Sequence, residues 1–339
     1  MKGYGWLLLA VAALLLLLPL PALSVAPTAT APSAGPPVTP TVPTVPSPPP
    51  DASTPSTEAV FRLLCGNTVV TLTEEDFLIR TLAMEMGPSY HEEALKAQAV
   101  AAYTYYARRR QAQAEQADPA LKGADFATPN AKFPDEYTEE ALRARWGEQY
   151  DQYYQTLAAA VVAVKGVTLT HNGKLIDACY HAISNGTTES AETVWGADVP
   201  YLQTVASPGD RLSAGYASTI TLSADETKAI LVAELPDVTL SDDPTAWFGT
   251  PTLSDGGTVA QQPIGDTQLA GTRVRQLFGL RSAAFSVAYR EGQFTFSVCG
   301  YGHGVGMSQH GADYLARQGY AYDEILRYYY TDVTVNLPA

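Results

Sequence analysis

Cysteine is scarce: Cys65, Cys179 and Cys299 are the only three in 339 residues, widely spaced and without a C-x-x-C pair. That excludes a disulfide-dense scaffold and the usual zinc-ribbon spacings. An odd count leaves at least one free thiol unless chains pair, and a Cys65–Cys299 bridge is conceivable, although sequence carries no test of its geometry. Positive charge is short as well. Against 35 Asp and Glu stand 21 Lys and Arg, a formal net charge of −14. This argues against a nucleic-acid partner and fits poorly with tight binding to anionic lipid or teichoic acid. There is no internal repeat, no G-x-G-x-x-G opening a βαβ unit, and no zincin spacing among the histidines.

What is present begins with Lys2 and an apolar run from Trp6 to about Leu23 that no acid interrupts. Such a segment is a secretory signal or a signal-anchor. Its length is close to that of a bilayer span, so residues 1–24 read slightly better as an anchor. Pro19, Pro21 and Ala22-Leu23-Ser24 form the alternative cleavage region. Either way the remainder lies outside the cytoplasm. Residues 25–57 are Pro, Thr, Ser, Ala and Val with almost no charge. They read as a disordered tether, because that composition cannot bury a core. Residues 58–339 are left for one large domain or two small ones.

Along that remainder, Val60 to Leu72 reads as a hairpin with Asn67 at its turn. A first helix spans about Glu74 to Met86, capped by Thr73 with Asp76 three residues on. A second begins after Ser89, with Glu92 as capping partner, and runs to roughly Gln113; Arg108-Arg109-Arg110 reads as its solvated end. Residues 118–134 look like loop, and Thr138 to Val164 like one long helix ended by Gly166. Asn172-Gly173 marks a hairpin. Helices are expected at Asp225–Leu235, Arg273–Phe278 and Asp323–Tyr330, with residues 241–263 loop-rich. A strand pair is expected at Phe285–Cys299 turning at Glu291-Gly292, and a last strand at Val333–Val335. Interleaved helices and hairpins give an α+β class, with short antiparallel sheets and helices around one cleft.

Three blocks carry chemistry. Glu85 closes the first helix on the face of Leu78 and Leu82, just before Gly87-Pro88. Desolvation at such a turn raises a carboxyl pKa and favours a proton donor; the plain alternative is an exposed Glu at a helix end. The next helix presents Leu95, Gln98, Ala99, Ala102 and Tyr106 on one face. The second block, Cys179 to Gly196, is rich in hydroxyls and suits a polyol, with Trp195 as an aromatic platform. Cys179 and His181 are zinc-type ligands, but two groups do not make a site. The third block, Gly300 to Ala312, alternates glycine around His303 and adds Ser308, Gln309 and His310. Its glycines permit close backbone approach, to a ligand or simply within a strand bend.

With these blocks the sequence resembles the stage II sporulation protein D family (the SpoIID/LytB domain) of bacterial cell-wall proteins. The matching residues are Glu85-Met86, Glu93 to Ala102, His181 to Glu189 with Val194-Trp195-Gly196 and Pro200-Tyr201-Leu202, Leu280-Arg281-Ser282 with Phe285, His303 to Gln309, and Tyr328-Tyr329-Tyr330. The resemblance implies a lytic transglycosylase cleaving peptidoglycan glycan strands, preferably stripped of stem peptides, to 1,6-anhydro-muramyl products during sporulation. It implies Glu85 as the catalytic acid, and Gln98, Tyr103, His181, Ser184, Gly186, Thr188, His303, Ser308 and Gln309 as substrate-binding residues. Glycan strands, a cell-wall amidase and other engulfment membrane proteins are the partners implied. No cofactor is required, and zinc stays open because some relatives are thought to bind it. Family members commonly carry Arg where this chain has Tyr103, which substitutes by stacking on a sugar or lowers activity. Two other readings stand beside this one: a noncatalytic wall-binding enhancer of an amidase, and a weaker metallohydrolase using Cys299, His303 and His310. The transglycosylase reading expects Glu85 to meet the Gly300–Ala312 loop across a cleft closed by Ser184–Thr188.

Overall fold

A computed structural model describes residues 59–129 and 132–338. The anchor and tether expected at residues 1–57 lie outside the described residues. The first hairpin, β1 (Val60–Cys65) with β2 (Thr68–Thr73), runs in register from Val60↔Thr73 to Cys65↔Thr68. Thr73 ends β2 and caps α1 (Glu74–Glu85), its hydroxyl accepting from the Asp76 N–H at 3.0 Å. Phe77, Leu78, Ile79 and Leu82 bury one face of α1. The helix stops where the N–H groups of Met86 and Gly87 both bond to the Leu82 carbonyl, Gly87 with φ +80°. That left-handed residue fixes where Glu85 stands.

The central element is α2 (Glu92–Glu115). Its cap is His91, not Ser89: the ring Nδ1 accepts from the Glu93 N–H at 3.2 Å. Ala94, Ala97, Ala99, Ala101 and Ala102 are all buried, because a helix packed on several sides must offer small residues. Arg108 and Arg110 are not a solvated end. The helix continues to Glu115, so they lie along it and pin neighbours, Arg108 to Asp177 at 2.8 Å and Arg110 to Glu74 at 2.6 Å.

The expected loop at 118–134 contains β3 (Phe126–Ala127), parallel to β1, and leads into α3 (Phe133–Glu136). The expected single helix at 138–164 is two, α4 (Glu139–Trp146) and α5 (Tyr150–Ala163). Gly147 breaks it at φ +54°, ψ −128°, a conformation closed to residues with a Cβ. The hairpin β4 (Thr168–His171) and β5 (Lys174–Leu175) turns at Asn172-Gly173, both at positive φ. After β6 (Tyr180–His181) and α6 (Ala191–Trp195) comes a stretch with its own core. It comprises β7 (Ala217–Ser223), α7 (Ala224–Glu234), β8 (Thr252–Leu253), β9 (Val259–Ile264), β10 (Thr267–Ala270), α8 (Gly271–Phe278), β11 (Phe285–Arg290) and β12 (Gln293–Cys299). Two antiparallel sheets, β10-β9-β8 and β11-β12-β7, are built there. The loop-rich expectation for 241–263 therefore missed β8 and most of β9. The chain returns through β13 (Met307–Ser308), α9 (Gln309–Arg317), α10 (Tyr322–Tyr329) and β14 (Thr334–Asn336), which pairs with β4.

One core gathers Phe61, Phe77, Leu82, Leu95, Val100, Met307, Tyr329 and Tyr330 around α2. Another, in the intervening lobe, gathers Leu231, Trp247, Val274, Phe278, Phe294 and Phe296. Both lie in one compact unit, an α+β arrangement of helices with small, mostly antiparallel sheets. No helix among the described residues is long and apolar enough to cross a membrane. Cys65, Cys179 and Cys299 are free, so the conceived Cys65–Cys299 bridge does not form.

Gly306 sets up a test. It has φ +74°, and a Cβ there would meet the Cys179 carbonyl oxygen at 2.1 Å. Gly173, at φ +75°, faces open space. Gly306→Ala is expected to lose at least about 2 kcal/mol in urea denaturation, combining strain and overlap. Gly173→Ala is expected to lose only about 1 kcal/mol. Equal losses would show that the close approach at Gly306 is unimportant.

Candidate active site

The second and third blocks are laced together along their backbones. β6 and β13 run parallel, with Tyr180 opposite Met307 and His181 opposite Ser308. The Met307 N–H donates to the Cys179 carbonyl at 3.1 Å, Ile183 and Tyr301 exchange hydrogen bonds at 3.0 and 2.7 Å, and the Glu189 N–H donates to Gly304 at 2.8 Å. Gly302, like Gly306, leaves no room for a side chain, because its Cβ would stand 2.8 Å from that of His181. These two glycines serve chain-to-chain approach rather than an open ligand cradle.

This lacing delivers Gln309 to Glu85. Ser308 caps α9 through the Gly311 N–H, and the next side chain, Gln309, donates from Nε2 to Glu85 Oε2 at 3.2 Å. Glu85 keeps some exposed surface, yet protein packs around its carboxyl closely enough to push its pKa up. Desolvation is the cause, with the Gln309 hydrogen bond opposing it. No other carboxylate contributes to that shift. Two phenols lie within electrostatic reach, Tyr180 and Tyr106, hydrogen-bonded to each other. Burial raises both phenol pKa values, so both are neutral.

The remaining expected residues divide. His181 is buried; its Nδ1 lies 3.2 Å from the Val305 carbonyl and its Nε2 has no partner. Burial, then His303, pushes its pKa down to about 3. His303 falls to about 4 through burial and the nearby Arg275. Its Nδ1 accepts from the Val305 N–H at 3.1 Å, and a hydrogen bond to the Tyr180 backbone holds the ring. Ser184 and Ser308 point inward to Asp210, a fully buried carboxylate. Ser308 donates to it at 2.7 Å, and Ser184 donates from its backbone at 2.9 Å and from its hydroxyl. Thr188 is also buried and bonds to Gln203 and Val205, while Gly186 makes room for Arg211. The Ser184–Thr188 loop is thus latched into the fold through Asp210, Gln203 and Val205. His310 bonds through Nε2 to the Tyr90 hydroxyl at 2.8 Å. Gln98 is fully buried with both amide atoms unpartnered.

Tyr103 is not placed at Glu85. Its ring packs on Phe61 and its hydroxyl bonds to Glu74 and Arg110. Glu74 opens α1 and Glu85 closes it, ends separated by roughly 16 Å at helical rise. Tyr106, three residues on, lies within electrostatic reach of the carboxyl. Sequence reading saw Tyr106 only as part of an apolar stripe and missed Tyr180, Asp210 and Arg275. Tyr180 was at least signalled by its place beside His181, whereas nothing in the pattern marked Asp210. For zinc, Cys179 and His181 gain no third donor, and no group of three such ligands occurs among the described residues. Burial, then Asp177, pushes the Cys179 thiol up to about 12, which disfavours the thiolate a metal needs.

A family model described as "Stage II sporulation protein" matches residues 66–171. Stage II sporulation protein D of Bacillus amyloliquefaciens is 35% identical over 271 residues, 80% of this chain and 76% of that one. Its Bacillus subtilis (strain 168) counterpart is 34% identical over 262 residues, covering 77% and 74%. A Bacillus subtilis protein named "Amidase enhancer" is 26% identical over 309 residues, 74% of this chain but 39% of its own length.

The raised Glu85 pKa has a consequence for stability. Below the unfolded value of about 4.3 the carboxyl is protonated in both states. Above it the unfolded chain ionises first, so stability falls as pH rises towards the folded value. Glu85→Gln is expected to match the wild type near pH 4 and to be the more stable of the two at pH 7. Urea denaturation at both pH values checks this, and a loss of stability at pH 7 would mean that Glu85 is not desolvated.

Proposed function

The chain belongs to the stage II sporulation protein D family, and we propose that within it this protein is a peptidoglycan lytic transglycosylase acting in sporulation. The observation that carries the reading is Glu85: one carboxyl, packed from water, held by Gln309, with no other carboxylate contributing to its shift. Glycoside hydrolases commonly need two carboxyl groups, an acid and a nucleophile or base. An intramolecular displacement needs only one. Protonated Glu85 gives its proton to the glycosidic oxygen as the bond to muramyl C1 breaks. The resulting carboxylate takes the proton of the C6 hydroxyl as that oxygen closes on C1, forming the 1,6-anhydro ring. Glu85 is protonated again at the end. Burial suits both halves, because a carboxyl with a raised pKa is an acid near neutral pH and a competent base once ionised.

Gln309 fixes the carboxyl, and the Tyr106–Tyr180 pair walls it with neutral phenols. In this proposal residues 58–339 are the catalytic body. The N-terminal segment holds it outside the cytoplasm at the membrane, and glycan strands stripped of stem peptides are its substrate. A second reading, a wall-binding enhancer of an amidase, draws on the relative of that name.

Digestion of amidase-treated glycan strands followed by mass spectrometry separates them. Wild type is expected to produce anhydro-muramyl ends, with Glu85→Gln slower by at least about a hundredfold. Tyr103→Phe is expected to remain within about twofold of wild type, since the Tyr103 hydroxyl bonds only at the far end of α1. Absence of strand cleavage by wild type, with amidase stimulation unchanged in Glu85→Gln, would sink the transglycosylase reading.

A further inference from the structure

Beside the glycine-rich loop lies a recess where the two cores adjoin. It is open to solvent, and its walls include Thr193, Thr258, Thr272, Arg275 and His303. Arg275 comes from the last turn of α8, in the intervening lobe, and its Nε donates to the Leu280 carbonyl at 3.3 Å. That bond uses one of five guanidinium N–H groups. Among the described residues no carboxylate pairs with Arg275, and its two Nη atoms have no acceptor. Its protein neighbours supply little compensation: His303 and His181 are neutral at physiological pH, and Tyr301 is the one favourable electrostatic neighbour. Glu189 lines an adjoining recess and makes no ion pair with Arg275: its Oε1 is taken up by Ser254, by the Thr258 hydroxyl and by the Thr258 N–H, and its Oε2 is buried without a hydrogen-bond partner.

A partly buried, unpaired guanidinium is costly to retain unless something anionic meets it. A planar fork of free N–H groups is shaped for a carboxylate. We infer that this recess is a carboxylate subsite in which Arg275 grips the free lactyl carboxylate of a muramyl residue neighbouring the one cleaved. The inference rests on the glycan-cleaving reading above. Position supports it: Tyr180 feels Glu85 through its phenol while its backbone bonds to His303, a wall of the recess. One residue therefore joins the acid to the recess. Exposed Trp195 lies against His303 with ring centroids 5.3 Å apart, offering a face to the attached sugar. Chemistry supplies the selectivity. A stem peptide ties up the lactyl carboxyl as a neutral amide, and an amidase releases it as an anion. An enzyme with this subsite reads whether the amidase has already acted.

The test is binding of stripped glycan strands to full-length Glu85→Gln, which does not turn them over. Strands carrying free carboxylates are compared with the same strands converted to methyl amides. The amides are expected to bind at least about tenfold more weakly, the size of one charge-assisted contact. Arg275→Gln should erase the difference and Arg275→Lys should keep part of it. In NMR titrations the His303 imidazole should shift to higher pKa with free-acid strands and not with amides, because an anion beside Arg275 offsets its charge. Equal affinity for acid and amide in the protein with Arg275 intact overturns the subsite, whatever the folding of the variants. The subsite and the chemistry fail separately: an acid preference without anhydro ends from wild type leaves the subsite standing, and anhydro ends without an acid preference remove it alone.

Discussion

The parallel pairing of β6 with β13 is the contact on which the site depends. Only two residues on each strand take part, too few to persist without help. The help is local and specific. Backbone bonds from Ile183, Glu189, Tyr301 and Met307 extend the contact on both sides, and the Tyr330 hydroxyl donates to the same Cys179 carbonyl at 2.8 Å. Below them Asp210 ties Ser184 to Ser308, one from each segment. A buried carboxylate bonded on both oxygens can hold such a junction, since breaking either bond leaves an unpaired polar group. From this junction α9 departs with Gln309 aimed at Glu85.

Around Glu85 the protein removes charge instead of adding it. The two phenols nearest are neutral, His181 and His303 are held neutral by burial, and Glu85 itself is driven towards its protonated form. The formal charge of −14 therefore says little about the site. A desolvated setting makes a single proton transfer cheap to organise, because no neighbouring ion must be moved or screened as the carboxyl cycles between its two forms. Arg275 is the exception, a cation without a carboxylate partner among the described residues.

Local signals in the sequence were legible where one or two residues decide the outcome. Thr73 with Asp76, Asn172-Gly173, Glu291-Gly292 and the stop at Gly87 each act through their own backbone, and those elements appear within a residue or two of expectation. Glu85 was legible for the same reason, since helix periodicity and the following turn place it. Gly147 was not, because a glycine amid strong helix formers is commonly tolerated. The hydroxyl-rich block misled in a different way. Ser184 and Thr188 belong to a block whose hydroxyls suit a polyol by composition, yet their partners, Asp210 and Val205, lie later in the chain with no local mark. Tyr103 and Tyr106 differ by less than one helical turn, and only the tertiary arrangement selects which meets Glu85.

The central claim is that one carboxyl, Glu85, catalyses an internal displacement and not the entry of water. Cleavage of stripped glycan strands in heavy-oxygen water tests it most directly. The account predicts new muramyl ends that carry no solvent oxygen and are lighter than reducing ends by one water. Reducing ends bearing the heavy label would contradict it, since they would show water attacking C1 in place of the C6 hydroxyl.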